Sequence, residues 1–139
     1  MKKVILDTNI LIAGLQSKRG KSYELLQLLN KGLFRITVSV PLVLEYEALL
    51  KKKLDRNIYS DKVIEDFIDY LCKISEHIKI YYLWRPYLKD PFDDHLLELA
   101  LSSGCDYIVT YNLKDFKKAK ELGVTAITPA EFIEILKED

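Results

Sequence analysis

Short, wholly apolar runs alternate along this chain with longer stretches whose apolar residues recur every three or four positions. Val4-Ile5-Leu6 is one such run, ending at Asp7, and Tyr107-Ile108-Val109 is another, ending at Thr110. Runs of this kind fit strands buried on both faces, as parallel sheets covered by helices require. Residues 34–38, 78–83 and 124–127 are rich in β-branched and aromatic side chains and read as further strands. Between them lies helical spacing. Tyr23, Leu26 and Leu29 mark a helix over 22–31 that Gly32 stops. Ser39 and Pro41 open a second, whose stripe of Leu42, Leu49 and Leu50 runs into Lys51-Lys52-Lys53. Ser60 opens a third, with Ile64, Phe67, Ile68, Leu71 and Ile74 on one face. Leu96, Leu97, Ala100 and Leu101 mark a fourth that stops near Gly104, and a short helix over 114–122 ends at Gly123. Thr128-Pro129-Ala130-Glu131 then supplies an N-cap, a proline at the first helical position and a glutamate placed to complete a capping box.

Strand alternating with helix predicts a three-layer α/β/α sandwich around a mostly parallel sheet with right-handed crossovers. No repeat, low-complexity tract or linker interrupts the pattern, so residues 1–139 read as one domain. Ligands of such sheets bind beyond the carboxyl ends of the strands. Attention therefore falls on polar residues at strand ends.

Composition narrows the partners. The chain has 49% hydrophobic residues, enough for one continuous core, and its 21 basic and 21 acidic residues cancel. With no global basic field, any nucleic-acid contact must come from local patches. Lys51, Lys52, Lys53 and Arg56 form one candidate, and Lys114, Lys117 and Lys118 another, although such runs are more often solvated helix faces. Cys72 and Cys105 lie in apolar surroundings without zinc spacing and read as buried thiols of a reducing compartment. Only three apolar residues stand between Lys3 and Asp7, and no later apolar run approaches membrane-spanning length. A cytoplasmic protein without membrane contact is expected.

Several carboxylates occupy awkward places. Asp7 sits where the first strand runs out, followed by Thr8 and Asn9, which can hydrogen-bond nearby backbone; an Asx turn or helix cap is the plainer reading. Glu45 lies three residues after Leu42 and four before Leu49, on the face turned to the sheet. An ionised carboxylate buried there without a partner costs several kcal/mol, so it needs a metal, a proton or an ion pair with Arg or Lys. Asp90, Asp93 and Asp94 gather at the start of the helix bearing Leu96 and Leu97, where the helix dipole favours acids. Asp93 precedes those leucines by three and four positions and shares their inward face, whereas Asp94 is turned from it by about 100° and is expected to point outward or sideways. His95, with no second His or Cys at ligand spacing, reads as a surface helix residue. Asn112 and Asp115 follow the strand at 107–109, Asp115 doubling as a cap for the next helix. Four carboxylates converging on one edge would repel unless counter-charged, and oxygen-only ligands select hard cations such as Mg²⁺ or Mn²⁺. The chemistry natural to such a site is hydrolysis at phosphorus.

The segments VILDTNILI, VPLVLEYEALL, DPFDDHLLELAL and CDYIVTYNLKDF, in this order, resemble the PIN domain family, especially its small prokaryotic toxin components of toxin–antitoxin systems. The resemblance spans essentially the whole chain. It implies a Mg²⁺- or Mn²⁺-dependent ribonuclease acting on RNA, with Asp7 as the first acid, Glu45 as the helical glutamate, Asp93 as the third and Asp115 as the acid after the last-but-one strand. Thr8, Asn9, Asp94 and Asn112 are the additional site residues. Asn112 stands where many relatives carry an aspartate, and the tandem Asp93-Asp94 leaves the third position open by one residue. A cognate antitoxin and a second copy of the chain are the protein partners such a resemblance brings with it.

Two rivals from the enzyme class fare worse. A haloacid-dehalogenase-like phosphatase usually carries a second aspartate two residues after its nucleophile, and that position is Asn9 here. A dinucleotide-binding domain would show G-x-G-x-x-G after the first strand, and none follows. A rival from another class is a catalytically weak RNA-binding or protein-interaction module that keeps the fold.

Overall fold

A computed structural model describes residues 1–80 and 91–138. Strand β1 (Lys2–Leu6) leads into helices α1 (Thr8–Gln16) and α2 (Lys21–Gln27), and a 3₁₀ turn at Leu29–Lys31 precedes β2 (Phe34–Val38). Helices α3 (Val40–Lys53) and α4 (Asp61–Ile74) follow, then β3 (Glu76–His77), α5 (Pro91–Ser103) and β4 (Tyr107–Val109). A 3₁₀ helix over Leu113–Leu122, strand β5 (Ala126–Ile127) and helix α6 (Pro129–Glu138) come last. The strands form one sheet in the order β3-β2-β1-β4-β5, every neighbouring pair parallel.

The wholly apolar runs lie at its centre: Val4, Ile5, Leu6, Ile108 and Val109 are completely buried. Polar punctuation fixes the helices around them. Ser39 Oγ accepts from the Leu42 amide at 3.3 Å to start α3, and Ser60 Oγ accepts from the Val63 amide at 3.2 Å to start α4. The capping box closes reciprocally, Glu131 N donating to Thr128 Oγ1 at 3.2 Å and Thr128 N to Glu131 Oε1 at 3.0 Å. Gly32 and Gly123 end their segments at φ 71° and 83°, in the left-handed region where a Cβ would be strained.

Connections from β1 to β2 to β3 step one way across the sheet, and the returns to β4 and β5 fall on the other side of β1. Right-handed crossovers then put α1 to α4 over one face and α5 with the 3₁₀ helix over the other. The packing agrees, with α1 against α2 and α3, α3 against α4, and α5 against β4 and the 3₁₀ helix. The expected three-layer α/β/α sandwich is thus the observed one. The order reverses between β1 and β4, and a crevice opens beyond the carboxyl ends of strands at such a point.

Several elements depart from the sequence pattern. Helix α1 was not anticipated, because Ile10 to Leu15 is apolar almost throughout and shows no polar face; Ile10, Leu11 and Gly14 turn inward. Gly14 is where α2 comes closest: a Cβ there would overlap Leu26 Cδ1 and stand 3.2 Å from the carbonyl carbon of Ser22. Of the strand expected over 78–83, the described residues 78–80 are not strand; β3 is Glu76–His77, paired with Thr37 and Val38, and the Ile78 amide, bonded to Val38 O at 2.9 Å, extends the ladder. Residues 81–83 and Asp90 lie outside the described residues. Cys72 and Cys105 are half-buried rather than buried, and both are free. Burial pushes the Cys105 thiol up to about 11, so it stays protonated. In α5 the buried partner of Leu96, Leu97 and Ala100 is Leu99, while Leu101 is exposed. No helix among the described residues is long and apolar enough to cross a membrane.

Candidate active site

Asp7 is delivered by the sheet itself. Leu6 pairs with Val109, so Asp7 falls beside Thr110, and its amide donates to Val109 O at 3.0 Å. Thr110 Oγ1 donates to Asp7 Oδ2 at 2.8 Å, and Asn9 Nδ2 approaches the same oxygen at 3.4 Å. Asp7 occupies the N-cap position of α1 without a side-chain cap bond. Its carboxylate faces the backbone of Thr8 and Asn9 at the start of α1 as well as the Thr110 hydroxyl, so the capping role the sequence allowed accounts for only part of its surroundings. Burial, joined by the nearby charge of Glu45, raises the Asp7 pKa, and the hydrogen bonds from Thr110 and the backbone of Thr8 and Asn9 only partly offset that rise.

Glu45 stands on α3 at the flank of a buried stripe formed by Leu42, Tyr46 and Leu50. Tyr46, rather than Leu49, is its central member, and its hydroxyl donates to Leu6 O at 2.5 Å. That bond ties α3 to the end of β1 and keeps Glu45 beside Asp7. Among the described residues, no Arg or Lys forms the ion pair considered for Glu45. Thr8 Oγ1 donates to Glu45 Oε2 in a short hydrogen bond, and His95 Nε2 lies 3.4 Å from Glu45 Oε1. A carboxylate can only accept, so Nε2 carries the proton of that contact. Burial works to raise the Glu45 pKa, but the hydrogen bonds from His95 and Thr8 and the attraction of His95 prevail, and the net shift is downward. The two neighbouring acids are thus pushed in opposite directions.

Helix α5 corrects two expectations. His95 is not a surface residue but 7% exposed, and Asp94 is not outward-facing but 2% exposed, more deeply buried than Asp93 at 7%. The reason is tertiary. Residues 93–97 are all buried, and α5 packs against α3 as well as β4 and the 3₁₀ helix, so no solvated face remains there for a helical-wheel argument to find. Asp93 and Asp94 both have partners. Asp93 and His95 line the cleft beside Asp7 and Glu45; Asp94 does not. Sequence reasoning missed His95 as a member of the site. Its four-residue spacing to Leu99, which is completely buried, was the available signal.

The cleft, of about 670 Å³, is lined on one side by Asp7, Thr8, Asn9, Glu45, Asp93, His95 and Asn112. Its other side is apolar, formed by Ile12, Pro41, Leu44, Ala48 and Leu49, with Lys53 among the lining residues. Asp115 is exposed in the first turn of the 3₁₀ helix, its amide bonded to Asn112 O at 3.1 Å, and does not line the cleft. Among the described residues, no group of three or more His, Cys, Asp or Glu side chains has the geometry of a metal site. The donors present nevertheless suit a hard cation. Asn9 Oδ1 is buried without a hydrogen-bond partner, and it lies in the same cleft as two carboxylates that repel one another. One or two carboxylates, with waters completing the shell, is the usual way a protein holds Mg²⁺.

No match was found among curated proteins. The sequence pattern that defines the PIN domain matches residues 3–114, which runs from within β1 through β4 and takes in every cleft residue named above. PIN domains are generally nucleases and typically use divalent metals, and by this match the chain belongs to the PIN domain family.

Proposed function

We propose that this chain is a metal-dependent endoribonuclease that hydrolyses RNA phosphodiester bonds, the toxin component of a toxin–antitoxin system acting in the cytoplasm. The observation that carries the reading is the coupled pair Asp7 and Glu45 in one cleft at the sheet's reversal point, with the orphaned Asn9 Oδ1 beside them. Mg²⁺ or Mn²⁺ bound there would lower the pKa of a water and neutralise charge building on the phosphate oxygens. The chain's own residues prepare that event. Thr8 and His95 grip both oxygens of Glu45 and favour its ionised form, while Thr110 and Asn9 orient Asp7. Asp93 adds negative charge to the same wall, and the apolar side of the cleft excludes water from one flank of a bound strand. Asp115 enters this reading as an outer acid that lines no part of the cleft.

Titrating the purified protein with Mn²⁺ in a calorimeter and following cleavage of a labelled RNA with and without chelator tests the proposal. Binding together with chelator-sensitive cleavage is expected, and growth arrest on expression would support the toxin role. The second reading, a catalytically weak RNA-binding or protein-interaction module, draws on Asn112 in the cleft wall and on the absence of a compact three-acid group among the described residues. RNA binding without Mn²⁺ uptake would select it. An antitoxin or a second copy of the chain belongs to the toxin reading and would emerge from co-purification and sizing.

A further inference from the structure

The segment Leu113–Leu122 is a 3₁₀ helix of ten residues, long for its kind, and its sequence explains why. A 3₁₀ helix has three residues per turn, so positions three apart eclipse one another. Leu113, Phe116, Ala119 and Leu122 recur at that period, and Phe116 and Ala119 are buried. Lys114, Lys117 and Lys120 recur at the same period on the adjacent row. With a rise of about 2.0 Å per residue, the three ammonium groups are rooted about 6 Å apart along one line. All three are exposed and line one shallow cavity of about 400 Å³.

What sets this row apart is that its cations are both aligned and unpaired. At the end of α3, Lys51 is held by Glu47 at 3.2 Å and Glu65 at 2.7 Å, and Arg56 pairs with Asp61. Lys3, Lys21, Lys62 and Lys137 are likewise paired with acids. Among the described residues, Lys114, Lys117 and Lys120 form no ion pair. The row also starts at the right place. Asn112 is both the N-cap of this helix and a wall of the acidic cleft, so the first lysine follows two residues beyond the cleft's rim.

We propose that Lys114, Lys117 and Lys120 form a ladder that holds the phosphate backbone of an RNA strand as it leaves the acidic cleft. The identity of the strand rests on the nuclease reading of that cleft; the ladder itself is a statement about binding. A chain of zero net charge gains affinity for a polyanion through such a local row and not through a global field. Aligned cations three residues apart suit a backbone rather than a base, so contact should be indifferent to sequence.

The test is the salt dependence of binding of a fluorescent single-stranded RNA oligomer, measured in chelator so that nothing is cleaved. Each phosphate neutralised on a single strand contributes about 0.7 to the slope of log K against log salt. Replacing Lys114, Lys117 and Lys120 together with Gln should lower the slope by about 2, and each single replacement by about 0.7. A control removing the same charge from exposed positions elsewhere, Lys18, Lys31 and Lys73, should leave the slope unchanged. An unaltered slope in the ladder variant, an equal loss in the control, or no RNA binding by the unsubstituted protein would each overturn the ladder. Hydrolysis of bis-p-nitrophenyl phosphate, too small to span the helix, reads the acidic cleft separately. Its absence would defeat the nuclease reading, while the salt slopes would still decide the ladder.

Discussion

Replacing Asp7 with Asn keeps the side chain's shape and removes its charge, and the structure gives the sign of the result. Two effects compete. Thr110 Oγ1 donates to Asp7 at 2.8 Å, and a bond to a charged acceptor is worth about 1.5–3 kcal/mol against about 0.5–1.5 for a neutral one. Exchanging carboxylate for amide therefore costs about 1 kcal/mol. Opposing this are the desolvation of a buried charge and its repulsion by Glu45, and because the Asp7 pKa is raised overall, these outweigh the hydrogen bonds. Asp7→Asn should stabilise the metal-free protein by roughly 1 kcal/mol, about 3–5 °C in Tm for a chain of this size. The pH dependence follows from linkage. A carboxyl whose folded pKa lies above its unfolded value destabilises the fold as pH rises through that interval, so the gain from Asp7→Asn is full at neutral pH and vanishes below the ordinary carboxylate value, where both states are protonated. Thermal melts in chelator at neutral and at acid pH would measure it. The same variant should lose RNA cleavage and the rise in Tm that Mn²⁺ gives the unsubstituted protein. A Tm that falls at neutral pH, or a gap that does not shrink with acid, would refute the argument.

Glu45→Gln should behave in the opposite sense. The native environment favours ionised Glu45 through His95 and Thr8, so the variant should lose about 1–2 kcal/mol at neutral pH. That loss should fade as pH falls through the depressed folded pKa, and a Gln variant at least as stable as the parent at neutral pH would show that the grip contributes nothing. Asp93→Asn should abolish cleavage with an ordinary Tm, since Asp93 lines the cleft, whereas Asp94→Asn, at a more deeply buried position, should lower Tm while retaining cleavage. Loss of cleavage in Asp94→Asn without any change in Tm would move the third acid by one residue.

The parts of the fold legible in the sequence were those that local chemistry decides. Val4-Ile5-Leu6 and Ile108-Val109 could only be strands buried on both faces, and Ser39, Ser60 and Thr128 announced their helices through hydrogen bonds that span three residues. Asp7 was legible as a strand-end acid, but its place beside Thr110 depends on the register of Leu6 with Val109, a contact between residues far apart in sequence. The same limit hid the partner of Glu45. His95 lies fifty residues away, and nothing near either residue marks the pair. Asp94 and His95 were misplaced because a helical wheel assumes one solvated face, which α5 lacks in its first turns. Helix α1 failed for the converse reason, its apolar run offering no polar residues to set a phase. The 3₁₀ helix is different, since the period of three in Leu113, Phe116, Ala119 and Leu122 is visible in the sequence and distinguishes it from an α-helix.

The bond from Tyr46 to Leu6 O also determines how the molecule can come apart. Asp7 hangs from β1, which has a strand on each side, and Glu45 is tied to the same strand through that buried hydroxyl. Neither acid can swing away in a partial opening that spares the sheet's centre, so the amides around the cleft should exchange with solvent only when the whole domain opens. Strand β5, two residues long at the sheet's edge, and the 3₁₀ helix before it carry no such tie. Asp7 and Glu45 should therefore open more slowly than the 3₁₀ helix, so that a strand held by its lysines, as proposed, could be released and regripped without disturbing those two carboxylates.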